Sequence, residues 1–83
     1  MRDNAALKRF EIDVEGHVVF ADYSRDGLTL AVTHVESPPE LRGKGAAGAL
    51  MQEIADYARN GGLKIIPICS YAAAWLERHK EYS

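Results

Sequence analysis

The sequence predicts an α+β fold: an antiparallel three-stranded meander, a strand–helix–strand crossover, and a closing C-terminal helix. Three observations carry this. Apolar residues alternate with a period of two through the first third of the chain. From Ala47 the apolar positions fall into a helical period, and after Gly62 they return as one short apolar run. Two glycine-bearing turn signals punctuate the first third, and a Pro-Pro pair separates it from the rest.

Phe10, Ile12 and Val14 alternate with Glu11 and Asp13, the pattern of a half-buried strand. Glu15-Gly16 is a short turn. His17 to Tyr23, rich in Val, Phe and Tyr, is a second strand. Arg25-Asp26-Gly27 contains Asp-Gly, a strong hairpin signal between β-rich runs. Leu28, Leu30 and Val32 then alternate with Thr29, Ala31 and Thr33 in a third strand that runs on through His34 and Val35. Pro38-Pro39 stops it, because neither proline can donate to a ladder. Ala47, Leu50, Met51, Ile54, Ala55 and Ala58 mark one face of a helix, which Asn60-Gly61-Gly62 ends. Leu63 to Ile68 reads as a strand buried on both faces, although Pro67 removes one donor and points to an edge or a splay. Ser70 is placed to cap a last helix on which Ala72, Trp75, Leu76 and His79 share a face.

Composition narrows the function classes. The 83 residues leave room for one domain, 1–83, with a thin core. Ten basic and twelve acidic residues give a net charge of -2, which argues against nucleic-acid binding. No stretch approaches the ~20 apolar residues of a membrane span, and no signal peptide is expected from Met1-Arg2-Asp3-Asn4 onward. A single cysteine forms no internal disulfide, so a cytoplasmic location is expected. His17 and His79 have no partner at metal-ligand spacing, and no metal site is expected.

The most informative stretch is Arg42-Gly43-Lys44-Gly45-Ala46-Ala47, between a strand and a helix. A Gly-rich turn opening a helix offers bare backbone N–H groups and the positive end of a helix dipole, which suits a phosphate. The bland reading is a tight connection. The crossover brings the ends of its two parallel strands to one sheet edge, so His34 and Cys69 should lie near each other beside this loop. A cysteine at a helix N-terminus can have a lowered pKa. The bland readings are a small buried core residue for Cys69, a surface residue for His34, and a packing ring for Tyr71. Glu36 and Glu40 read as solvated.

Thr33-His34-Val35, Pro39-Glu40-Leu41-Arg42-Gly43-Lys44-Gly45, Ile66-Pro67-Ile68-Cys69-Ser70-Tyr71 and Trp75-Leu76-Glu77-Arg78-His79 together resemble a compact GNAT acetyltransferase, the small single-domain group called GNAT-like or YjdJ-type. The resemblance runs from about Phe10 to Tyr82. It implies a minimal GNAT fold whose third and fourth strands splay, with the pantetheine arm of acetyl-CoA lying in the gap like an extra strand. Its pyrophosphate would take backbone N–H bonds from Arg42, Gly43, Gly45, Ala46 and Ala47. Arg42 and Lys44 would add charge, and Val35 would contact the cofactor at the strand end. The resemblance implies Cys69 and His34 as the active-site pair; in a direct transfer Cys69 or Tyr71 would protonate the departing CoA thiolate.

Two orders of events stay open at this point: transfer through an acetylated Cys69, or direct attack by the amine with His34 as base. The acceptor is an amine of unidentified structure, a small molecule or a lysine side chain. Full-size relatives are roughly twice as long and build their acceptor pocket from helices after the first strand. Here Glu15-Gly16 leads straight into the next strand, so the acceptor side is open, completed by a second molecule, or meant for a macromolecular tail. The alternatives are a CoA- or acyl-CoA-binding module without turnover, and an interaction domain with a structural loop. An exposed sheet edge would allow weak pairing with a second copy.

Overall fold

A computed structural model describes residues 1–82. The elements are β1 (Arg2–Asn4), β2 (Arg9–Val14), β3 (His17–Asp26), β4 (Thr29–Glu36), α1 (Ala46–Gly61), β5 (Lys64–Pro67) and α2 (Ser70–Arg78), with 3₁₀ turns at Pro39–Leu41 and Lys80–Tyr82. They form one sheet in the order β1-β2-β3-β4-β5, antiparallel except for the parallel pair β4–β5. The expected meander and crossover are therefore present, preceded by a strand that the sequence reading does not contain.

Period-two patterning explains the strands. Phe10, Ile12, Val19, Ala21, Leu30 and Val32 point to one face of the sheet and are buried there. The stripe Leu50, Met51, Ile54, Ala55 and Ala58 of α1 and Ala72, Trp75 and Leu76 of α2 are buried with them, and nearly all share one core cluster. Ala46 is buried where Ala47 was expected, which shifts the helical face by one residue at its first turn. Truncating a fully buried Leu50 or Ile54 to alanine costs about 2–5 kcal/mol.

The turns differ in detail from expectation. Glu15 and Gly16 both have positive φ, 51° and 80°, which matches the mirror-image turn that suits the twist of a two-residue hairpin. In the next hairpin Asp26 pairs with Thr29, so the turn residues are Gly27 and Leu28. Only Gly27 has a positive φ, which places the glycine first in the turn and leaves Leu28 exposed rather than in the strand. At the far edge β5 is not buried on both faces; Ile65 and Ile66 are half-buried. The Lys64 and Ile68 N–H groups point to β4, donating to Leu28 and Val32. By alternation the nitrogen of Pro67 faces away from the ladder, which is why a proline is tolerated there.

β1 is held by polar contacts. Arg2 donates to Glu11 (2.9 Å) and to Asp13 (2.6 and 3.1 Å), and the Tyr23 hydroxyl donates to Asp3 at 2.5 Å. Arg9 adds a 2.7 Å bond to Glu11 and lies over the Phe20 ring. Cross-strand pairs of this kind stabilise a strand whose residues have little β-propensity.

Candidate functional site

β4 and β5 run together only as far as Val32 and Pro67. The Ile68 and Cys69 N–H groups both donate to the Val32 carbonyl, at 3.0 and 3.1 Å. Beyond that point β4 continues through Thr33–Glu36 while the other chain turns into α2. The strands therefore part at Val32, and the splay expected from Pro67 is realised as this divergence.

A β-bulge lies at the parting. Tyr23 pairs with Val32 and Asp22 with His34, so Thr33 is the extra residue on β4. Strict alternation would put Val32, His34 and Glu36 on the core face. The extra residue changes the phase: Val35 packs against the core instead, while His34 lies beside Phe20 and Glu36 on the opposite face. The backbones of β4 and Cys69 meet as expected, but the His34 side chain is turned away from Cys69. Its Nε2 is 3.1 Å from a Glu36 carboxylate oxygen. Sequence reasoning left Glu36 as a solvated charge; its position two residues after His34 on a strand was the available signal.

Cys69, half-buried, is the N-cap of α2, with φ -69° and ψ 134° and its carbonyl accepting from the Ala73 N–H at 3.0 Å. Ser70, expected as the cap, is the first helical residue. Burial pushes the Cys69 thiol up. The backbone N–H groups of Ala72, Tyr71 and Val35 act in the other direction and bring it below its ordinary value of 9.0. Two of these donors belong to the first turn of α2, and the third comes from β4 beyond the parting.

The loop before α1 forms the second part of the site. Gly43 and Gly45 have φ of 79° and 70°, the left-handed region that only glycine enters without strain. A Cβ at either would have nothing within 4 Å, so the space in front of the loop is open. Gly45 is the N-cap of α1 and has no side chain to cap it, and no acidic residue sits in the first turn. The first intrahelical bond runs from Ala49 to Gly45 at 2.9 Å, so the N–H groups of Ala46, Ala47 and Gly48 have no helical partner. The Arg42 N–H, expected as a ligand donor, is already given to Pro39 at 3.1 Å.

A cleft of about 170 Å³ is lined by Ser37, Leu41, Arg42, Gly43, Gly45, Ala46, Ala47, Gly48 and Tyr71. Lys44 is not among them. Its ammonium is held by both carboxylate oxygens of Glu15, each at 3.1 Å, outside the cleft. A larger hollow of about 470 Å³ lies between β5 and Leu76 and Tyr82, lined mostly by apolar groups. It contains none of the donors or nucleophiles described above. Among the described residues no cluster of His, Cys, Asp and Glu is arranged to hold a metal ion.

A model of the GCN5-related N-acetyltransferase family matches residues 9–83, which is nearly the whole chain. The chain belongs to the GCN5-related N-acetyltransferase family. The architecture of this acetyltransferase-family chain is also similar to the NMR solution structure of a GCN5-like candidate N-acetyltransferase from Staphylococcus aureus. The two share 31% sequence identity with a TM-score of 0.72, over 90% of this chain and 76% of the other. No curated protein matches the chain. β1 lies outside the family match, so the family resemblance begins at β2. Among the described residues no helix is long and apolar enough to cross a membrane.

Proposed function

We propose that this chain transfers the acetyl group of acetyl-CoA to an amine, with Cys69 as the residue that carries it. The supporting observation is that α2 carries a thiol with a lowered pKa at its N-cap and, two residues on, places Tyr71 in the wall of the glycine-loop cleft, beside first-turn N–H groups that have no helical partner; Cys69 itself stands outside that cleft. The residues fit such a ligand at both ends. Gly43, Gly45, Ala46 and Ala47 would hold the pyrophosphate, and Arg42, whose guanidinium makes no ion pair among the described residues, would add charge from the cleft wall. Val35, on β4 beyond the parting, would contact the pantetheine arm.

Bound acetyl-CoA supplies an activated acyl carbon and a thiolate leaving group. The Cys69 thiolate would bond to that carbon as the bond from carbon to the CoA sulfur breaks, and the departing thiolate would take, through solvent, the proton that the Cys69 thiol gave up. A neutral amine then bonds to the same carbon, Cys69 Sγ leaves, and the amine nitrogen gives up its proton. His34 is turned away from Cys69 and bonded to Glu36 through Nε2, so this proton would reach its Nδ1 through a bridging water and not directly. Because His34 lies on the face opposite Val35, the acceptor would approach from the open face of the sheet, where this chain has no covering helix. Tyr71 serves Cys69 through its backbone N–H.

One observation favours a second reading, CoA binding without turnover. The imidazole nearest in sequence to the parting is bonded to Glu36, and the groups acting on Sγ are all backbone. Thiol release from acetyl-CoA in the presence of a primary amine separates the two. Release that depends on the amine and disappears in Cys69→Ala is the expected result. CoA binding without release would leave the binding module. We place the protein in a reducing compartment such as the cytoplasm, which keeps Cys69 a thiol.

A further inference from the structure

The first turn of α1 contains Gly48, a residue that costs about 1 kcal/mol relative to alanine in a helix interior. A Cβ there would lie 3.6 Å from the Tyr71 hydroxyl and 3.8 Å from Trp75 Nε1. These are ordinary contacts, so clash alone does not demand glycine. What a methyl group would do is fill the space beside two polar atoms of α2. Tyr71 and Trp75 are four residues apart on α2 and so share one helix face.

Trp75 is only 4% exposed, and no partner accepts its indole N–H among the described residues. An indole N–H is a donor that is normally paired when buried. Yet among the described residues no wholly buried side-chain nitrogen or oxygen lacks a partner, so solvent reaches this nitrogen. The ring is fixed for that direction. His79 stacks on it with centroids 3.8 Å apart, and Nδ1–H of His79 donates to the Trp75 carbonyl at 2.8 Å. The groups meeting around Gly48 are thus the N–H groups of Ala46, Ala47 and Gly48, the indole N–H and the Tyr71 hydroxyl. All can donate; Tyr71 lines the cleft, Trp75 stands behind it beside Gly48, and no carboxylate is among the described residues of its wall. A set of donors without an acceptor suits an oxyanion.

We propose that Trp75 Nε1–H and the Tyr71 hydroxyl donate hydrogen bonds to a phosphate oxygen held at the first turn of α1, with Gly48 keeping the space for it. The inference rests on the reading of the loop as a pyrophosphate site and adds two side chains of α2 to it as binding residues. It also makes the sole tryptophan of the chain a direct reporter of that site.

The test is a titration of the native chain, followed by Trp emission and by calorimetry, with three probes: CoA, inorganic pyrophosphate, and pantetheine, which lacks the diphosphate. CoA and pyrophosphate should both shift the emission saturably, and pantetheine should not. Emission that responds to CoA but not to pyrophosphate would assign the contact to the rest of the nucleotide and overturn the phosphate assignment. In Trp75→Phe and Tyr71→Phe, calorimetry should show CoA bound roughly tenfold or more weakly, as expected for losing a hydrogen bond to a charged group. Pantetheine affinity should not change. If Trp75→Phe does not fold, Tyr71→Phe decides. CoA affinity equal to native in the folded variants would overturn this proposal and leave the CoA reading standing. No CoA binding to the native chain would overturn both.

Discussion

On β1 and β2 the charged groups are closed on one another: Arg2 holds Glu11 and Asp13, Arg9 and Asn4 hold Glu11, and Asp3 takes the Tyr23 hydroxyl. Where β4 leaves β5, the polar groups are open. The first-turn N–H groups of α1, the Trp75 indole and the Arg42 guanidinium have no partner among the described residues. Both regions are polar, so polarity does not distinguish them. The difference is in partners: a donor that water reaches but no protein group occupies is left for a ligand to bond. The closed region therefore bears on stability, and the open one is where we propose binding and chemistry.

Substitutions should divide along the same line. The largest effect is expected from Cys69→Ala, which should lower acetyl transfer by a factor on the order of 10³ or more. CoA affinity, measured by calorimetry, should be retained. A comparable loss of affinity would mean that Cys69 is a binding residue. Next comes Gly45→Ala, which forces a side chain into the left-handed region and should cost about 1–2 kcal/mol of unfolding free energy. It should also weaken CoA binding, because the cradle must shift. Unchanged affinity would detach the loop from the ligand.

The closed region should respond to acid. Arg9 first, then Asn4 and Arg2, hold the Glu11 carboxyl below its ordinary value of 4.5, while burial acts in the opposite direction. A carboxyl depressed in the folded state stabilises above its unfolded pKa, and that stability is lost as pH falls through the folded value. The native melting temperature should therefore drop on acidification below about pH 4.5, and Glu11→Gln should drop less steeply. CoA affinity at neutral pH should be the same in both. Parallel pH profiles would show that the Glu11 network is energetically idle. The smallest effect is expected from Lys44→Ala. Its pairing with Glu15 is exposed, and such pairs contribute at most about 1 kcal/mol. A marked fall in CoA affinity would show that the lysine leaves Glu15 for the ligand.

The antiparallel strands and the helices were legible because hydrophobic periodicity and the glycine and proline signals agreed at Phe10–Val14, Gly61-Gly62 and Pro67. The glycine cradle was legible because Gly43 and Gly45 each solve a backbone problem visible in the sequence. β1 was not, because Arg2-Asp3-Asn4 has the composition of a loop and becomes a strand only through pairing with distant Glu11 and Asp13. Nor was the facing of His34. One bulged residue, Thr33, exchanges the two faces of β4, and no local propensity announces a bulge. The donors around Gly48 depend on the approach of α2 to α1, which is a tertiary fact; the costly glycine inside a helix was the one trace of it.

The central claim is that the open donors mark the place where acetyl-CoA is bound and Cys69 receives its acetyl group. It is tested most directly by the intact mass of the native chain and of Cys69→Ala after incubation with acetyl-CoA and no acceptor. The account predicts one acetyl group on the native chain, mapped to Cys69 and lost when an amine is added, and none on the variant. A native chain that binds CoA and releases thiol to an amine without ever carrying the acetyl group would contradict the Cys69 route, and one that neither binds CoA nor gains mass would contradict the whole account.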